Sequence, residues 1–120
     1  MRHDAVIVGG GPAGMALARA LMVRGMQVVV VCLQVPWTAT YGAWRDDVEA
    51  CDLGAPLDSL LQGAWPTVRV VGHRTHLLQR PYVVFDNGAL HASLSSGLTV
   101  VHDVALSAEH SLDGTTLRLQ

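Results

Sequence analysis

The chain has 120 residues, of which half are hydrophobic and 15% are charged, and its formal net charge at neutral pH is −2. This composition excludes a disordered tail and is typical of one small domain with its own core. The slightly acidic balance gives no reason to expect a nucleic-acid partner, and no apolar run reaches the length of a transmembrane helix.

A glycine-rich turn follows a short apolar run near the start of the chain. Residues 5–14 read Ala-Val-Ile-Val-Gly-Gly-Gly-Pro-Ala-Gly, which predicts a buried strand ending in a Gly-x-Gly-x-x-Gly turn. In this pattern Gly9 permits a tight turn, Gly11 lets the backbone approach the pyrophosphate of a dinucleotide, and Gly14 lets a helix pack on the strand. The pyrophosphate would face the unpaired N–H groups at the start of that helix. The predicted cofactor-binding residues here are Gly9, Gly11, Pro12, Ala13 and Gly14.

The turn continues into a strand–helix–strand unit over residues 1–33. Helical spacing relates the apolar residues Met15, Leu17, Ala18, Leu21 and Met22. Gly25 ends the predicted helix, and Val28–Val31 is apolar on both faces, as in a parallel strand covered on both sides. This context favours a dinucleotide-binding α/β unit over a structural glycine turn that binds nothing, which is the alternative.

Cys32 ends the second predicted strand, where such folds usually place Asp or Glu for the ribose hydroxyls. A thiol is a poor acceptor and carries no charge near neutrality, so we expect this ribose contact to be weakened or absent. Gln34 offers a substitute acceptor. Cys32 and Cys51 form no pair typical of a metal or redox site, and the first strand begins too close to Met1 for a signal peptide, so we expect a cytoplasmic protein.

Residues 34–66 are predicted to form an aromatic-rich connection, irregular up to residue 45. Acidic residues in a first turn predict a short helix over residues 46–53, and a second helical stretch covers residues 57–62. No histidines or cysteines share ligand-like spacing, so we expect no metal site.

Residues 67–120 are predicted to form a hairpin, a helix and further strands. Thr67–Val71 and Thr75–Leu78 flank Gly72-His73-Arg74, which is typical of an antiparallel hairpin. A helix capped by Asp86, with Leu90 and Leu94 facing inward and Gly97 at its end, comes next. A buried strand over Leu98–Val101 and a last hairpin turning at Asp113-Gly114 complete the prediction.

Residues 36–49, Pro-Trp-Thr-Ala-Thr-Tyr-Gly-Ala-Trp-Arg-Asp-Asp-Val-Glu, resemble a segment of the flavin-dependent lycopene cyclases. Those enzymes carry Tyr-Gly-x-Trp-x-Asp-Glu, which this chain matches at Tyr41, Gly42, Trp44 and Asp46, with Asp47 in place of Glu. Two further segments, Ala64-Trp65-Pro66 and Arg80-Pro81-Tyr82, also resemble the family. The family's Val-Asp-Arg is represented by Val84-Phe85-Asp86-Asn87, so its arginine is lost. The resemblance covers essentially the whole chain.

The resemblance implies the N-terminal part of a Rossmann-like FAD-binding domain of the glutathione-reductase type, with an antiparallel β-hairpin insertion. It also implies an enzyme of carotenoid biosynthesis that closes linear polyene ends, as in lycopene, into rings without net redox change. Reduced FAD is required in that family, with NAD(P)H as the electron source. An anionic reduced flavin is suited to stabilise a carbocation in an apolar pocket. A hydrocarbon substrate makes peripheral membrane contact an expectation.

Family members are several times longer, and their acidic catalytic segment lies beyond residue 120, so no catalytic residue is assigned here. We therefore expect this chain to represent the first part of such an enzyme. Strands 28–31 and 98–101 would then have uncovered apolar faces or edges, which predicts poor solubility or self-association. Two alternatives stay open: another FAD enzyme, of the aromatic hydroxylase or geranylgeranyl reductase type, and a non-catalytic remnant or small binding module.

Several side chains have both a functional and a packing interpretation. Trp37, Tyr41 and Trp44 either line a polyene channel or pack the loop. Asp46 and Asp47 either include an acid whose pKa is raised beside the aromatic loop or serve the helix dipole. Arg80 either contacts the flavin or holds the Pro81 turn. By analogy with related flavoproteins, the backbone at Val104 is expected to lie against adenine.

Overall fold

The computed structural model describes residues 2–120, which form two compact units. The first unit contains the chain up to Pro36 together with Ser95–Gln120, and the second contains Trp37–Leu94. The strands are β1 Ala5–Val8, β2 Val28–Cys32, β3 Gly42–Trp44, β4 Leu61–Trp65, β5 Val68–Val71, β6 Thr75–Leu78, β7 Tyr82–Phe85, β8 Thr99–His102, β9 Ala105–Ser111 and β10 Gly114–Leu119. The helices are α1 Pro12–Met22, α2 Arg45–Glu49 and α3 Asn87–Ser95, and a 3₁₀ turn covers Leu57–Leu60.

A three-stranded parallel sheet in the order β1-β2-β8 forms the centre of the first unit. Val28–Val31 of β2 are buried, as the continuous apolar run predicts, because this strand has a neighbour on each side. Met15 and Ala18 of α1 are buried as well. The predicted order of strand, helix and strand at the start of the chain is therefore confirmed. The prediction that the first strand is buried is wrong, because β1 lies at the edge of the sheet and exposes Val6 and Val8.

Three expectations about apolar surface in this unit are wrong. Strand 28–31 is central and buried rather than uncovered. The strand predicted to be buried at 98–101 is β8, an edge strand whose residues are mostly exposed. Leu17 is exposed because it lies about 200° around the helix from the buried Met15, at 100° per residue. The exposed edge of β8 agrees with the other expectation for 98–101, that its apolar residues are uncovered, and the second uncovered strand is β1, where Val8 is 58% exposed.

The last hairpin, β9–β10, forms with its turn one residue earlier than predicted. Ser111 pairs with Gly114, so Leu112 and Asp113 make the turn. Gly114 begins β10 with a φ of +141°, a conformation that other residues rarely adopt. The Ser111 hydroxyl accepts a hydrogen bond from the Asp113 backbone N–H and donates one to the Gly114 carbonyl. These contacts close the end of the hairpin.

An antiparallel sheet in the order β3-β7-β4 forms much of the second unit, together with the separate hairpin β5–β6. The prediction of the β5–β6 hairpin is confirmed. The segment up to residue 45 was expected to be irregular but contains β3. The helix expected over 57–62 is a 3₁₀ turn that leads into β4. The helix predicted over residues 46–53 is the shorter α2. Val83 and Phe85 of β7 are buried at the centre of this sheet.

Helix α3 follows its prediction closely. The Asp86 carboxylate accepts a hydrogen bond from the Ala89 backbone N–H, as an N-cap does. Leu90 and Leu94 are buried, and Gly97 follows the helix with a φ of +78°. Within residues 2–120, no helix has the length and apolar character needed to span a bilayer.

Candidate functional site

The glycine turn of the first unit is held by two close backbone approaches. Gly9 follows β1 with a φ of +120°, and its N–H donates to the Val31 carbonyl at 2.9 Å. A Cβ at Gly14 would collide with the Gly9 carbonyl oxygen and would lie 3.5 Å from Ile7 Cγ2. Glycine is thus required at both positions by the turn and by the packing of helix on strand.

Gly11 differs from these two glycines. Its φ of −75° is accessible to any residue, and a Cβ built on it would meet no other atom within 4 Å. The protein itself therefore gives no reason for glycine at this position. A backbone that must be approached closely by a phosphate gives such a reason, which makes Gly11 the strongest structural sign of a ligand.

The N-terminal end of α1 is suited to an anion. Pro12 occupies the first turn, no side chain caps the helix at Gly11, and the first turn carries no acidic residue. The early N–H groups of a helix, here those of Ala13 and Gly14, have no carbonyl partner within the helix. They and the helix dipole favour a negatively charged group at this end.

Cys32 lies at the carboxyl end of β2 beside this turn. A Cβ at Gly10 would come within 2.6 Å of its Sγ, so the thiol packs against the bare backbone of the turn. Burial raises the pKa of the Cys32 thiol above its ordinary value of 9.0, and the thiol is neutral at physiological pH. The end of β2 therefore offers no carboxylate to a ribose.

The sequence interpretation missed His102 as a neighbour of Cys32. The two residues are paired in the parallel register of β2 and β8, and the Asp103 backbone N–H donates to the Cys32 carbonyl at 3.2 Å. Paired residues of parallel strands present their side chains on the same face. The sequence did contain a signal for His102, which is a polar residue directly after the apolar Val100 and Val101. Such a residue indicates a ligand contact, because ligands bind at the carboxyl ends of parallel strands.

Val104 follows β8, and both of its backbone polar groups have partners. Its N–H donates to the Asp103 carboxylate at 2.7 Å, and its carbonyl accepts from the Gln120 N–H at 3.0 Å. A backbone contact with adenine at this residue stays a prediction: the N–H would have to exchange its bond to Asp103, whereas the carbonyl oxygen has a second lone pair that can accept another hydrogen bond.

Two of the three sequence segments that carry the family resemblance, residues 36–49 and 80–82, pack together in the second unit. Trp44 of β3 pairs with Tyr82 of β7, and their rings meet edge to face at 5.3 Å between centroids. A Cβ at Gly42 would collide with the Tyr82 side chain, so glycine is needed at this position for the tyrosine ring to pack against the backbone. The Tyr-Gly-x-Trp element is therefore explained locally by its packing on Arg80-Pro81-Tyr82.

Arg80 completes this cluster. Its guanidinium carbon lies 4.7 Å from the centre of the Trp44 ring, and its nitrogens lie 2.9 Å from an Asp46 oxygen and 3.2 Å from an Asp47 oxygen. The hydrogen bond from Arg80 lowers the pKa of the Asp46 carboxyl. Of the two interpretations of Asp46, a raised pKa is therefore contradicted, because a cation rather than an apolar surface faces this carboxylate.

A second arginine binds α2 to the 3₁₀ turn. Arg45 forms ion pairs with Asp58 at 2.8 Å and with Glu49 at 3.3 Å, and its backbone N–H donates to the Pro81 carbonyl. The hydrogen bond to Asp58, followed by that to Glu49, raises the pKa of Arg45. The signature segment is thus held by charged side chains at both ends of its helix.

Trp37 and Tyr41 lie in the loop before β3 and contact one another edge to face at 5.7 Å, while Trp37 also contacts the His91 ring at 4.8 Å. Asn87, which stands where the family has arginine, donates from Nδ2 to the Trp37 and Ala39 carbonyls. Its buried Oδ1 finds no hydrogen-bond partner in the part of the chain that the structure describes. These contacts are packing contacts of the loop. The lining of a polyene channel by Trp37, Tyr41 and Trp44 stays a prediction.

The residues of the first unit fit the ADP half of a dinucleotide. The space at Gly11 would admit a pyrophosphate, α1 would supply N–H donors to it, and Cys32 and His102 would lie near a ribose. Among residues 2–120, no group of three metal-ligating side chains is close enough together to hold a metal ion.

A parallel sheet ending in this turn, with an antiparallel insertion, is the N-terminal part of a Rossmann-like FAD-binding domain. The halogenase PltM has the same fold, with a TM-score of 0.69 and 18% identity over 98% of this chain and 32% of that one. QhpG, a peptidyl tryptophan dihydroxylase, aligns with a TM-score of 0.60 and 25% identity over 95% of this chain and 28% of that one.

The sequence pattern of a family described as lycopene cyclase protein matches residues 4–110. The chain belongs to the lycopene cyclase family. A protein of Deinococcus radiodurans described as an uncharacterized carotenoid cyclase is 35% identical over 119 residues, and a chloroplastic lycopene beta cyclase of an Oncidium hybrid cultivar is 33% identical over 129 residues. Each alignment includes 95% of this chain, which spans 28% of the length of the first relative and 27% of the second.

Proposed function

We propose that this chain is the FAD-binding part of a carotenoid cyclase that closes the ends of a linear polyene such as lycopene into rings without net redox change. The observation that carries the proposal is the glycine at position 11. The turn itself does not require glycine there, whereas a pyrophosphate bound close to the backbone would require it. Membership of the lycopene cyclase family supports the reaction class. FAD is supported by the halogenase PltM, an 18% identical protein of the same fold that binds this cofactor.

In this proposal the residues of the first unit bind and orient the cofactor. The N–H groups of Ala13 and Gly14 would bind the pyrophosphate, and the absence of acidic residues from the first turn of α1 keeps that end attractive to an anion. Reduced FAD, when bound with NAD(P)H as the electron source, supplies a negative charge that stabilises a carbocation on the substrate. The catalytic acid is left unassigned.

The signature cluster of the second unit, which we define as Trp44, Arg45, Asp46, Asp47, Arg80 and Tyr82, has a positioning role in the proposal. Arg80 is held by Asp46, Asp47 and the Trp44 ring, so its charge is already balanced by carboxylates. A direct contact of Arg80 with the flavin would compete with these partners. We therefore propose that Arg80 orders the loop that carries Trp37 and Tyr41, and that the aromatic faces of this loop contribute to a polyene site.

Peripheral membrane contact, a cytoplasmic location and self-association belong to the same proposal. A carotenoid is a hydrocarbon that partitions into a bilayer, so an enzyme acting on it works at that surface. Val6 and Val8 of the edge strand β1 are exposed, and exposed apolar edge strands favour association.

A chimera tests the reaction class. Residues 4–110 would replace the matching segment of the Oncidium lycopene beta cyclase, and cyclic carotenoids would be measured in a bacterial host that accumulates lycopene, with the unaltered Oncidium enzyme as the positive control. We expect cyclic product from the chimera and its loss on Gly11→Ala, with Gly88→Ala as the matched control. A chimera that folds and binds FAD but forms no cyclic product would favour the second candidate, a non-catalytic remnant of such an enzyme, which the weakened ribose contact expected at Cys32 supports.

A further inference from the structure

The charges of this chain are distributed unevenly. Residues 59–85 contain no Asp or Glu, although the chain has ten of them, and they contain Arg69, Arg74 and Arg80 together with two histidines. The β5–β6 hairpin lies within this stretch. A protein with a net charge of −2 therefore carries a locally basic segment in its second unit.

The same hairpin exposes apolar side chains. Val71 is 73% exposed and Leu77 57% exposed, and Val70 and Leu78 are 45% and 37% exposed. Arg69 pairs with Leu77 across the hairpin, and Val71 pairs with Thr75, so these four residues share one face. Basic and apolar side chains are therefore neighbours on that face, with no acidic residue among them.

The two arginines of the hairpin also differ from those of the signature cluster. Arg45 and Arg80 are bound by carboxylates, whereas within residues 2–120 neither Arg69 nor Arg74 lies within ion-pair distance of one. Arg74 is next to the turn at Gly72, whose N–H donates to the Arg74 carbonyl at 3.1 Å. Positive charge at the tip of the hairpin is therefore not balanced by a neighbouring carboxylate.

We propose that the β5–β6 hairpin docks on the surface of a lipid bilayer that contains anionic lipids. Val71 and Leu77 would enter the boundary between headgroups and acyl chains, and Arg69 and Arg74 would bind lipid phosphates. Exposed apolar residues beside unbalanced basic ones are the combination that such a surface binds, because burial and charge attraction act together. The proposal says which part of the chain makes the peripheral membrane contact, and it rests on the proposed function for the choice of a bilayer as the partner. Its test needs neither flavin nor carotenoid.

Co-sedimentation with vesicles tests the proposal on the full chain. The vesicles would be phosphatidylcholine mixed with phosphatidylglycerol, or phosphatidylcholine alone. We expect binding to the mixed vesicles that weakens with added salt, and much weaker binding to phosphatidylcholine alone. Arg69→Gln with Arg74→Gln should lower the partition coefficient roughly 25-fold, at about fivefold for each arginine. Val71→Ser with Leu77→Ser should lower it about tenfold.

Matched controls lie in the first unit. Arg118→Gln removes an exposed arginine from β10, and Leu112→Ser removes a fully exposed leucine from the β9–β10 turn. Both should bind vesicles like the parent chain, and a thermal melt of each variant confirms that it is folded. The proposal is overturned if the parent binds neither kind of vesicle, if it binds both equally, or if the folded hairpin variants bind like the controls. Vesicle binding and FAD binding are measured in separate experiments. A chain that binds FAD but not vesicles would overturn only the membrane proposal, and a chain that binds vesicles but not FAD would overturn only the proposed function.

Discussion

The Arg80 guanidinium lies over the Trp44 ring, 4.7 Å from its centre, and is bound at the same time by the Asp46 carboxylate at 2.9 Å. This contact joins two segments that resemble the lycopene cyclases and that are far apart along the chain. It indicates that much of the Tyr-Gly-x-Trp-x-Asp signature serves to build a local structure. Replacement of its members should therefore be measurable as a loss of stability, independent of any ligand.

Removal of the Trp44 ring should destabilise the chain. Trp44→Ala loses the edge-to-face contact with Tyr82 and the stacking of Arg80, and because the side chain is less exposed than that of Trp65 but not fully buried we expect a loss of about 2 kcal/mol in the free energy of unfolding. Urea unfolding followed by circular dichroism measures it. Trp65→Ala is the matched control, because that ring is half exposed and its loss should cost less than half as much. Equal losses would contradict a special role for Trp44.

Acid should weaken the contact between Arg80 and Asp46. Arg80 lowers the pKa of Asp46 below its ordinary value of 3.8, so this carboxylate stabilises the folded chain above that pH. The contribution is lost as the pH falls through the lowered pKa, where the folded state also takes up the proton. Melting temperatures of the parent and of Asp46→Asn should differ near neutral pH and converge in acid, whereas Asp113→Asn should follow the parent throughout. A difference that persists unchanged in acid would count against the ion pair.

A carboxylate at the end of β2 should strengthen nucleotide binding. Cys32→Asp restores the acceptor that such folds usually place at the ribose, and a hydrogen bond to a charged group predicts a gain of roughly tenfold in the affinity for ADP and FAD. Isothermal titration calorimetry measures this gain. Cys51→Asp adds the same charge at an exposed position of the second unit and should change nothing. If both variants bind like the parent, no ribose lies at Cys32.

The two cysteines should react at different rates. Burial raises the pKa of the Cys32 thiol, and only the thiolate reacts with iodoacetamide, so the exposed Cys51 should be alkylated first at mildly alkaline pH. Mass spectrometry of timed samples resolves the two sites. Added FAD should slow the reaction of Cys32 further and leave that of Cys51 unchanged. Protection of neither thiol by saturating FAD would argue against a nucleotide at the end of β2.

The elements predicted well from the sequence are those with local signals. Gly9 and Gly14 act within one turn, Asp86 caps the helix that follows it directly, and each hairpin pairs neighbouring strands. These interactions join residues close together in the chain, so residue types at fixed spacing are sufficient to predict them. The dinucleotide-binding α/β unit followed from such signals, whereas the FAD-binding domain was implied by the family resemblance.

The parts that were missed depend on pairing between distant residues. Strand β7 lies between β3 and β4, which places Val83 at the centre of a sheet that no local pattern specifies. The two interpretations of Asp46 could not be decided for the same reason, because Arg80 lies 34 residues away along the chain. His102 was overlooked because its closeness to Cys32 depends on the register of β2 and β8. A single sequence does not contain these distances explicitly.

Titration of the chain with FAD tests the central claim most directly, when the parent is compared with Gly11→Ala and Gly88→Ala. The structure has room for a Cβ at Gly11, and a Cβ at Gly88 would make an ordinary contact at 3.5 Å, so both variants should fold and melt like the parent or slightly above it. We predict that the parent and Gly88→Ala bind FAD with the same affinity and that Gly11→Ala loses at least about tenfold, because its methyl group occupies the place of the pyrophosphate. Equal binding by all three proteins, or no binding by the parent, would contradict the account.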